Sequence, residues 1–385
     1  MTTPPNVPIE PRKGDVHTYD IASTILDSSG EVHTGLQRDA VRPPSEDEIL
    51  RVQDLSVEFP TEDGVVHAVR GVSYSLRERE VLGIVGESGS GKSVSSMAVM
   101  GLLPKSARIK GRILFRGEDM LKMSPRKQRG LRGRKIAMIF QDPMTALNPV
   151  HSIGDQLAEA VLAHELMPRK NALARAKEML DLVGIPQAEA RLRSYPHEFS
   201  GGMRQRAMIA MAVINNPDVI IADEPTTALD VTVQAQILEK LLEVKDAVNA
   251  AIVLITHDLG VIAGMAHRVL VMYAGRPVEI GETDPVFEGP RMPYTAGLLG
   301  SIPSLETSGS RLRPIKGTPP SLINLPTGCP FSPRCPLADE VCRTTEPELA
   351  ETDSGGHFAA CHHWDRLAAV EDPTVFFRTE SETKA

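Results

Sequence analysis

The sequence predicts an α/β fold, built on a parallel sheet that leads into a phosphate-binding loop, and three observations point to it. The apolar run Val81–Val85 ends in a loop rich in glycine and serine, which a helical stretch, Ser93–Leu103, follows. A second run, Val219–Ala222, ends in two acidic residues. A third, Ile252–Thr256, follows the helical stretch Val233–Val244, which is long enough to cross over between parallel strands.

The composition predicts a folded chain without a membrane span. Of the 385 residues, 41% are hydrophobic, which is enough for a substantial core. The longest glycine-free apolar run, Ala207–Ile214, has eight residues, whereas a spanning helix needs about 18 or more. Prolines near the N-terminus stand where a secretory signal needs an apolar stretch. We therefore expect the chain to stay in the cytosol.

The two ends of the chain are expected to be polar tails, residues 1–47 and 371–385. The net charge of −8 comes from 42 basic and 50 acidic residues. Residues 1–50 hold four basic and nine acidic side chains, and residues 365–385 hold three and five. The acidic balance therefore belongs to the ends, and residues 1–47, which show no sustained periodicity, are expected to be flexible.

Between these tails the hydrophobic pattern changes several times. Alternating apolar residues over Leu50–Phe59 predict a strand, and Val65–Leu76 adds further strand-like stretches after a turn. Patterns rich in alanine and leucine over Ile153–His164 and Ala172–Val183 predict helices. After about residue 285, proline and glycine become dense and the cysteines appear.

The loop after the first buried strand has the composition of a phosphate site. Gly86–Ser93 fits the pattern G-x-x-x-x-G-K-[ST], in which backbone N–H groups converge on phosphates at a helix N-terminus. Lys92 adds a positive charge, and Ser93 offers a hydroxyl to Mg²⁺. The residues that we assign to phosphate binding are Gly86, Ser88, Gly89, Gly91, Lys92 and Ser93.

Two carboxylates, Asp223 and Glu224, end the strand Val219–Ala222. The carboxyl end of a buried parallel strand is where a metal ligand belongs in an α/β sheet. We expect Asp223 to hold Mg²⁺ through water, and Glu224 to accept a proton from the attacking water. By itself an acid after an apolar strand is a weak signal, but here it follows a phosphate loop.

Ser200, Gly201 and Gly202 open another helical stretch and form a second candidate anion site. Taken alone, Ser200 is better explained as a helix N-cap. The triplet, however, lies about 20 residues before the acidic strand, too near to share the phosphates of the first loop. We therefore expect it to bind the nucleotide of a partner subunit.

With these motifs the sequence resembles the ATP-binding subunits of ABC transporters over about residues 48–370. The motifs that carry the resemblance are Gly86–Ser93, Gln141 in Phe140–Pro143, Phe199–Met203, Asp223-Glu224, Ala228–Asp230, and His257 in Thr256–Asp258. The resemblance implies a P-loop NTPase domain over 48–285, with a RecA-like core, an antiparallel β subdomain and a helical subdomain at about 150–205. It also implies a head-to-tail dimer with two ATP molecules between the subunits.

The same resemblance implies a role for individual residues. Glu224 would be the catalytic base, Gln141 would sense the metal and the water, and His257 would contact the γ-phosphate. Asp230 would communicate across the dimer, and Phe59 would stack on adenine, although a core position explains Phe59 about equally well. Mg²⁺ would be held by Ser93, Gln141 and Asp223. Phe199 and Met203 stand where the general family has Leu and Gln.

All four cysteines fall in the last 57 residues and are expected to form one unit, which in a reducing cytosol favours a metal site over disulfides. They are Cys329, Cys335, Cys342 and Cys361. Four thiolates could bind Zn²⁺ or an iron–sulfur cluster. The close C-x₂₋₄-C pairs of zinc ribbons are missing, so the spacing favours the larger group. His357, His362 and His363 are alternative ligands, or ordinary surface histidines.

The region around the cysteines resembles the C-terminal extension of oligopeptide and dipeptide permease ATPases. Met292–Thr295, Leu298-Leu299 and Gly317–Pro320 carry this similarity together with the cysteines. It implies an irregular extension over 286–370 and a [4Fe–4S] cluster, with Zn²⁺ as the alternative. It also implies a peripheral protein at the cytoplasmic face of the membrane that energises a peptide importer. Its implied partners are two permease subunits, a sister ATPase subunit in a homodimer or heterodimer and, indirectly, an extracytoplasmic binding protein.

A basic stretch leaves one other function open. Residues 105–135 hold twelve basic and two acidic side chains, a charge that suits nucleic acid or anionic lipid. Phe115 is the only aromatic residue there for base stacking. No nucleic acid partner is therefore expected, and a soluble ABC-type ATPase that acts on nucleic acid or ribosomes is the alternative function.

Overall fold

The structure is a computed structural model that describes residues 47–227, 229–301, 315–353 and 355–377. Of the predicted N-terminal tail, residues 1–46 lie outside the described residues, as do residues 378–385 of the C-terminal tail. Ala228, the first residue of the Ala228–Asp230 motif, also lies outside them. Among the described helices, none combines the length and the apolar character that a membrane crossing requires.

The strands of the described residues form two sheets. In chain order they are β1 Glu48–Thr61, β2 Gly64–Arg77, β3 Val81–Val85, β4 Arg108–Phe115, β5 Glu118–Asp119, β6 Ile136–Ile139, β7 Val219–Asp223, β8 Ala251–Thr256, β9 Arg268–Tyr273, β10 Arg276–Glu282, β11 Ala350–Glu351 and β12 Phe358–Ala359. A 4-stranded antiparallel sheet has the order β2-β1-β4-β5, and an 8-stranded mixed sheet has the order β11-β12-β10-β9-β3-β8-β7-β6.

Helices surround these sheets. In chain order they are α1 Lys92–Met100, α2 Pro125–Leu131, α3 Pro143–Ala146, α4 Ile153–Leu162, α5 Arg169–Leu182, α6 Ala188–Arg191, α7 Gly201–Val213, α8 Val231–Val248, α9 Leu259–Met265, α10 Thr283–Glu288, α11 Pro293–Leu299, α12 Glu340–Thr344 and α13 Trp364–Ala368. Short 3₁₀ turns cover Met120–Lys122, Pro196–Glu198 and Pro373–Phe377.

The centre of the mixed sheet consists of the three strands that the sequence predicts. Strands β3, β7 and β8 are buried along their whole length, because a parallel strand covered on both faces needs an uninterrupted apolar run. They lie side by side, with Val85 opposite Thr256 and Asp223 opposite Ile255. Their carboxyl ends therefore meet at one edge, where the phosphate loop, the two acids and His257 follow.

The helices between β6 and β7 form a separate layer. Helix α4 packs against α5, and both pack against α7. On α4 the residues Ile153, Leu157 and Val161 are buried, as the spacing of one helix face requires. This helix begins after Ser152, whose hydroxyl accepts a hydrogen bond from the backbone N–H of Asp155, and it ends at Leu162, two residues before the predicted end.

The chain after residue 315 has little regular structure, and hydrogen bonds join it to the mixed sheet. Strand β12 pairs with β10, with Ala359 opposite Glu279. An aromatic cluster of Tyr273, Tyr294 and Phe331 is fully buried, with ring centroids 4.6 to 5.4 Å apart. Because Tyr273 ends the strand beside β3, this cluster lies next to the phosphate loop.

Candidate active site

The phosphate loop is folded around the ammonium group of Lys92. Its Nζ donates hydrogen bonds to the carbonyl oxygens of Gly86, at 2.7 Å, and Glu87, at 3.0 Å. The residue is 5% exposed, and burial lowers the pKa of the ammonium while Glu224 and Asp223 oppose that shift. The loop thus holds a positive charge at its centre, where phosphates would lie.

Two glycines of this loop cannot carry a side chain. At Gly91, which has φ +98°, a Cβ would lie 2.4 Å from the carbonyl oxygen of Ala68. At Gly86, a Cβ would lie 2.2 Å from the carbonyl oxygen of Met272. The pattern G-x-x-x-x-G is therefore required by steric contact with neighbouring strands as well as by the turn itself.

The hydroxyl of Ser93 and the carboxylate of Asp223 form the candidate metal site. Ser93 Oγ donates to Asp223 Oδ1 at 2.9 Å, although 130 residues separate them in the chain. Burial raises the pKa of Asp223, a shift that the hydrogen bond from Ser93 and the charge of Lys92 partly offset. Hard oxygen donors held side by side are the ligands that Mg²⁺ prefers, so this pair fits the ion.

Glu224, the candidate base, is held by three neighbours on one oxygen. Its Oε2 accepts hydrogen bonds from Gln141 Nε2 at 3.0 Å and from Thr227 Oγ1 at 2.9 Å, and His257 Nδ1 lies 3.4 Å away. Glu224 has φ +46°, a left-handed conformation that a non-glycine residue rarely adopts. The chain turns sharply there and directs the carboxylate towards the cleft.

One open cleft of about 860 Å³ is lined by several predicted residues, namely Phe59, Ser88, Gly89, Gly91, Lys92, Ser93, Gln141, Glu224 and His257. Gly86 and Asp223 do not line it themselves, but they bond to Lys92 and Ser93, which do. Val66, on β2, lines the cleft as well. Leu322, from the chain after residue 315, also lines it. Its carbonyl oxygen accepts a hydrogen bond at 3.0 Å from the backbone N–H of His67.

Ser200, Gly201, Gly202 and Asp230 do not line this cleft. The hydroxyl of Ser200 accepts a hydrogen bond from the backbone N–H of Met203 at 3.3 Å and caps α7. Asp230 caps α8 in the same way, because its Oδ1 accepts from the N–H of Val233 at 2.9 Å. Within this chain Ser200 is therefore a helix N-cap, and the triplet of Ser200, Gly201 and Gly202 lies outside the cleft of the phosphate loop.

The four cysteines converge on one small cavity, which His362 and His363 also line. They are free thiols in the structure, and burial raises the pKa of Cys335 and of Cys361 to about 12. His357 lies elsewhere, buried with its Nε2 2.8 Å from Glu279 Oε1. The four cysteines therefore lie together around one cavity, whereas His357 contacts Glu279 instead.

The spacing of the thiols bears on which metal would fit. A tetrahedral zinc with Zn–S bonds of about 2.3 Å needs sulfur atoms roughly 3.8 Å apart. A metal ion needs several ligand atoms close together. Among the described residues, one set of three His, Cys, Asp or Glu side chains has its ligand atoms within 4.8 Å of one another, and it consists of Asp339, Cys342 and His363. It includes one cysteine, so no three of the four thiol sulfurs lie within 4.8 Å of one another.

Three residues that bond to Glu224 or Glu87 were not found from the sequence. Thr227 bonds to Glu224, Tyr294 accepts the backbone N–H of Glu87 at 2.8 Å, and Arg334 pairs with the Glu87 side chain. Thr227 follows the acidic pair by three residues and could have been tested as its neighbour. No sequence pattern points to Arg334 as a site residue, except that it lies between Cys329 and Cys335.

Comparison with protein families and solved structures shows which class of protein the chain resembles. A family model described as "ABC transporter" matches residues 69–227, and one described as "Oligopeptide/dipeptide transporter, C-terminal region" matches residues 278–342. A solved dimer of the ATP-binding cassette MJ0796, in a post-hydrolysis state with ADP and Pi, has a TM-score of 0.55 at 23% identity, over 61% of this chain and 99% of that one. Its likeness shows the fold.

Comparison with individual curated relatives identifies the family within this class of ATP-binding proteins. The chain is 54% identical over 325 residues to the dipeptide transport ATP-binding protein DppD of Bacillus subtilis, which covers 84% of this chain and 96% of that protein. It is 52% identical over 313 residues to the oligopeptide transport ATP-binding protein OppD of Salmonella typhimurium, at 81% and 93% coverage. The chain belongs to the family of dipeptide and oligopeptide transport ATP-binding proteins. The predicted P-loop ATPase fold and enzyme class are confirmed.

Proposed function

We propose that this protein is the ATP-hydrolysing subunit of a membrane importer for dipeptides or oligopeptides. The names of its relatives support the transported class. The observation that carries the proposal is that Lys92, Ser93, Gln141 and Glu224 line one cleft, with Asp223 bonded to Ser93 behind it. That set combines a phosphate site, a metal site and a candidate base.

In this proposal the loop Gly86–Ser93 binds the phosphates of ATP through its backbone N–H groups and Lys92. Ser93, Asp223 and Gln141 would hold Mg²⁺ when it is bound. The bound ion would neutralise charge on the phosphates. Phe59, on the cleft wall, stacks on adenine.

Glu224 acts as the base for the attacking water. Because Gln141, Thr227 and His257 all meet Oε2, the other oxygen, Oε1, is the one that can accept a proton from water. His257 is 63% exposed and can turn towards a γ-phosphate in the cleft. Gln141, which donates a hydrogen bond to Glu224, would sense the metal and the water and relay their state to the membrane partner.

The second half of each nucleotide site comes from a partner subunit. Ser200, Gly201 and Gly202 lie at an exposed helix N-terminus outside the cleft, so a head-to-tail dimer would present them to the partner's ATP. Asp230 would transmit closure across that dimer. We propose a sister ATPase subunit in a homodimer or heterodimer, two permease subunits, and an extracytoplasmic binding protein that acts on the permease.

We propose the division 48–285 for the ATPase domain, with the helical subdomain at about 150–205, and 286–370 for the extension, between polar tails at 1–47 and 371–385. Helices α4 to α7 support the helical subdomain, since they pack on one another between β6 and β7. The protein would lie at the cytoplasmic face of the membrane, held there by its permease partners.

The cysteines would hold a [4Fe–4S] cluster. Their convergence on one cavity and their spacing, wider than a zinc ion requires, support this group over Zn²⁺. The test is metal content together with the visible spectrum of protein purified without oxygen. About four irons and a brown colour are expected, whereas about one zinc and no colour would contradict the cluster.

The proposed function is tested on membranes. The purified chain, added to membranes that hold its permease pair and a binding protein, is expected to release phosphate faster when peptide is present. A pull-down from membranes should recover the permease subunits. Stimulation by DNA or ribosomes and not by membranes would favour the alternative function, which the relatives do not support.

A further inference from the structure

An ion pair joins the extension to the phosphate loop. Arg334 Nη1 lies 2.6 Å from Glu87 Oε2, and Arg334 Nη2 lies 2.8 Å from Glu87 Oε1. This is the bidentate geometry in which a guanidinium and a carboxylate pair most strongly. Glu87 is the second residue of the loop Gly86–Ser93, so a residue of the extension binds the loop directly.

The guanidinium is fixed in place by its surroundings. The side chain of Arg334 is 4% exposed. It lies 5.8 Å from the ring centroid of Tyr273 and 5.9 Å from that of Phe331, and Nε donates to the carbonyl of Lys316 at 3.1 Å. Its pairing with Glu87 raises the pKa of Arg334, so it stays charged. Because the guanidinium of Arg334 is held by several contacts, its ion pair can fix the position of Glu87 in the phosphate loop.

The backbone of Glu87 connects this ion pair to the phosphate site. Its N–H donates to the hydroxyl of Tyr294 at 2.8 Å, and its carbonyl oxygen accepts from Lys92 Nζ at 3.0 Å and from the N–H of Ser90 at 3.2 Å. A shift of Glu87 would therefore move Lys92 and the N–H groups that face the phosphates.

We propose that Arg334 is a positioning residue for nucleotide binding, which holds Glu87 and so keeps the phosphate loop in its ATP-binding conformation. This inference rests on the proposed ATP-binding function of the cleft. It gives the extension a part in ATP affinity in addition to any metal that its cysteines bind. The ion pair acts on the ground state, so it should change affinity for ATP more than the rate of the chemical step.

The test uses the full chain with Arg334→Lys, which keeps the charge but loses the two-pronged geometry. The measurement is the Kd of a fluorescent ATP analogue with Mg²⁺, and the number of sites per chain. We expect Kd to rise about tenfold, which corresponds to about 1.4 kcal/mol of binding free energy, with the site number unchanged. The matched control is Arg291→Lys, which breaks the bidentate pair with Asp353 in the same part of the chain. Its Kd should match that of the wild type.

Glu87→Gln separates positioning from general stability. If Arg334 acts through Glu87, adding Arg334→Lys to Glu87→Gln should weaken binding no further. A second tenfold loss in the double variant would overturn the proposal, and so would an unchanged Kd in Arg334→Lys. A lower site number at unchanged Kd would mean that Arg334 only supports folding, and would also overturn it. A wild-type chain that binds no nucleotide would refute the proposed function itself.

Discussion

Replacement of Glu224 by glutamine is expected to stop ATP hydrolysis and to leave ATP binding in place. Glutamine has the same shape, and its side-chain oxygen can still accept the hydrogen bonds from Gln141 and Thr227. The fold should therefore be retained. What is lost is the carboxylate that takes a proton from water.

The expected loss follows from that single change. A positioned general base contributes roughly 10²- to 10⁴-fold, which corresponds to about 2.7 to 5.5 kcal/mol of activation free energy. The assay is phosphate release under saturating MgATP, together with the Kd of a fluorescent ATP analogue. We expect the rate to fall by at least about a hundredfold, and the ATP-bound dimer to persist for longer in gel filtration.

The control for this variant is Glu239→Gln, a surface acid on α8 that should hydrolyse ATP at the wild-type rate. Retention by Glu224→Gln of more than about a fifth of the wild-type rate would show that another group is the base. An equal loss of ATP binding would show that Glu224 supports the site and not the chemistry. Either result would refute the assignment made from the geometry.

Three further predictions concern other parts of the chain. Burial raises the pKa of Asp223, so its carboxylate should take up a proton at a higher pH than an ordinary aspartate does. Mg²⁺ affinity should therefore fall as the pH is lowered, and an affinity independent of pH would contradict this. Gly91→Ala should abolish binding of the ATP analogue because its Cβ would meet a carbonyl oxygen at 2.4 Å, while Gly264→Ala, where the space is open, should bind normally. Phe331→Ala should lower the free energy of unfolding in urea by about 3 to 5 kcal/mol, since the ring is fully buried, and a loss no larger than that of exposed Val341→Ala would contradict this.

The centre of the fold and most of the candidate site can be predicted from the sequence because their signals are local. Strand β3 matches its predicted range, and β7 and β8 differ from theirs by one residue each, since a strand buried on both faces has to be an apolar run. Glycines, a lysine and acids at the strand ends then identify the cleft. The predicted helix Ser93–Leu103 ends at Met100, where Gly101 adopts a left-handed cap.

The contact between Arg334 and Glu87 could not be predicted in this way. The two residues are 247 positions apart, and neither lies in a pattern that points to the other. Such a pair is defined by how the extension packs on the sheet, which depends on the buried cluster around Tyr273 and Phe331. For the same reason no sequence pattern indicates that Leu322 lines the nucleotide cleft.

The position of β3 has a consequence for synthesis of the protein. This strand, which supplies the phosphate loop, pairs with β8 and β9, and both follow it by more than 150 residues. During translation β3 cannot pair with β8 and β9 until residues 251–273 have left the ribosome. The ion pair between the phosphate loop and Arg334 can form only later still. A chain released early would expose the apolar edge of β3 and lack a complete nucleotide site. The ability to bind ATP is therefore acquired late in synthesis.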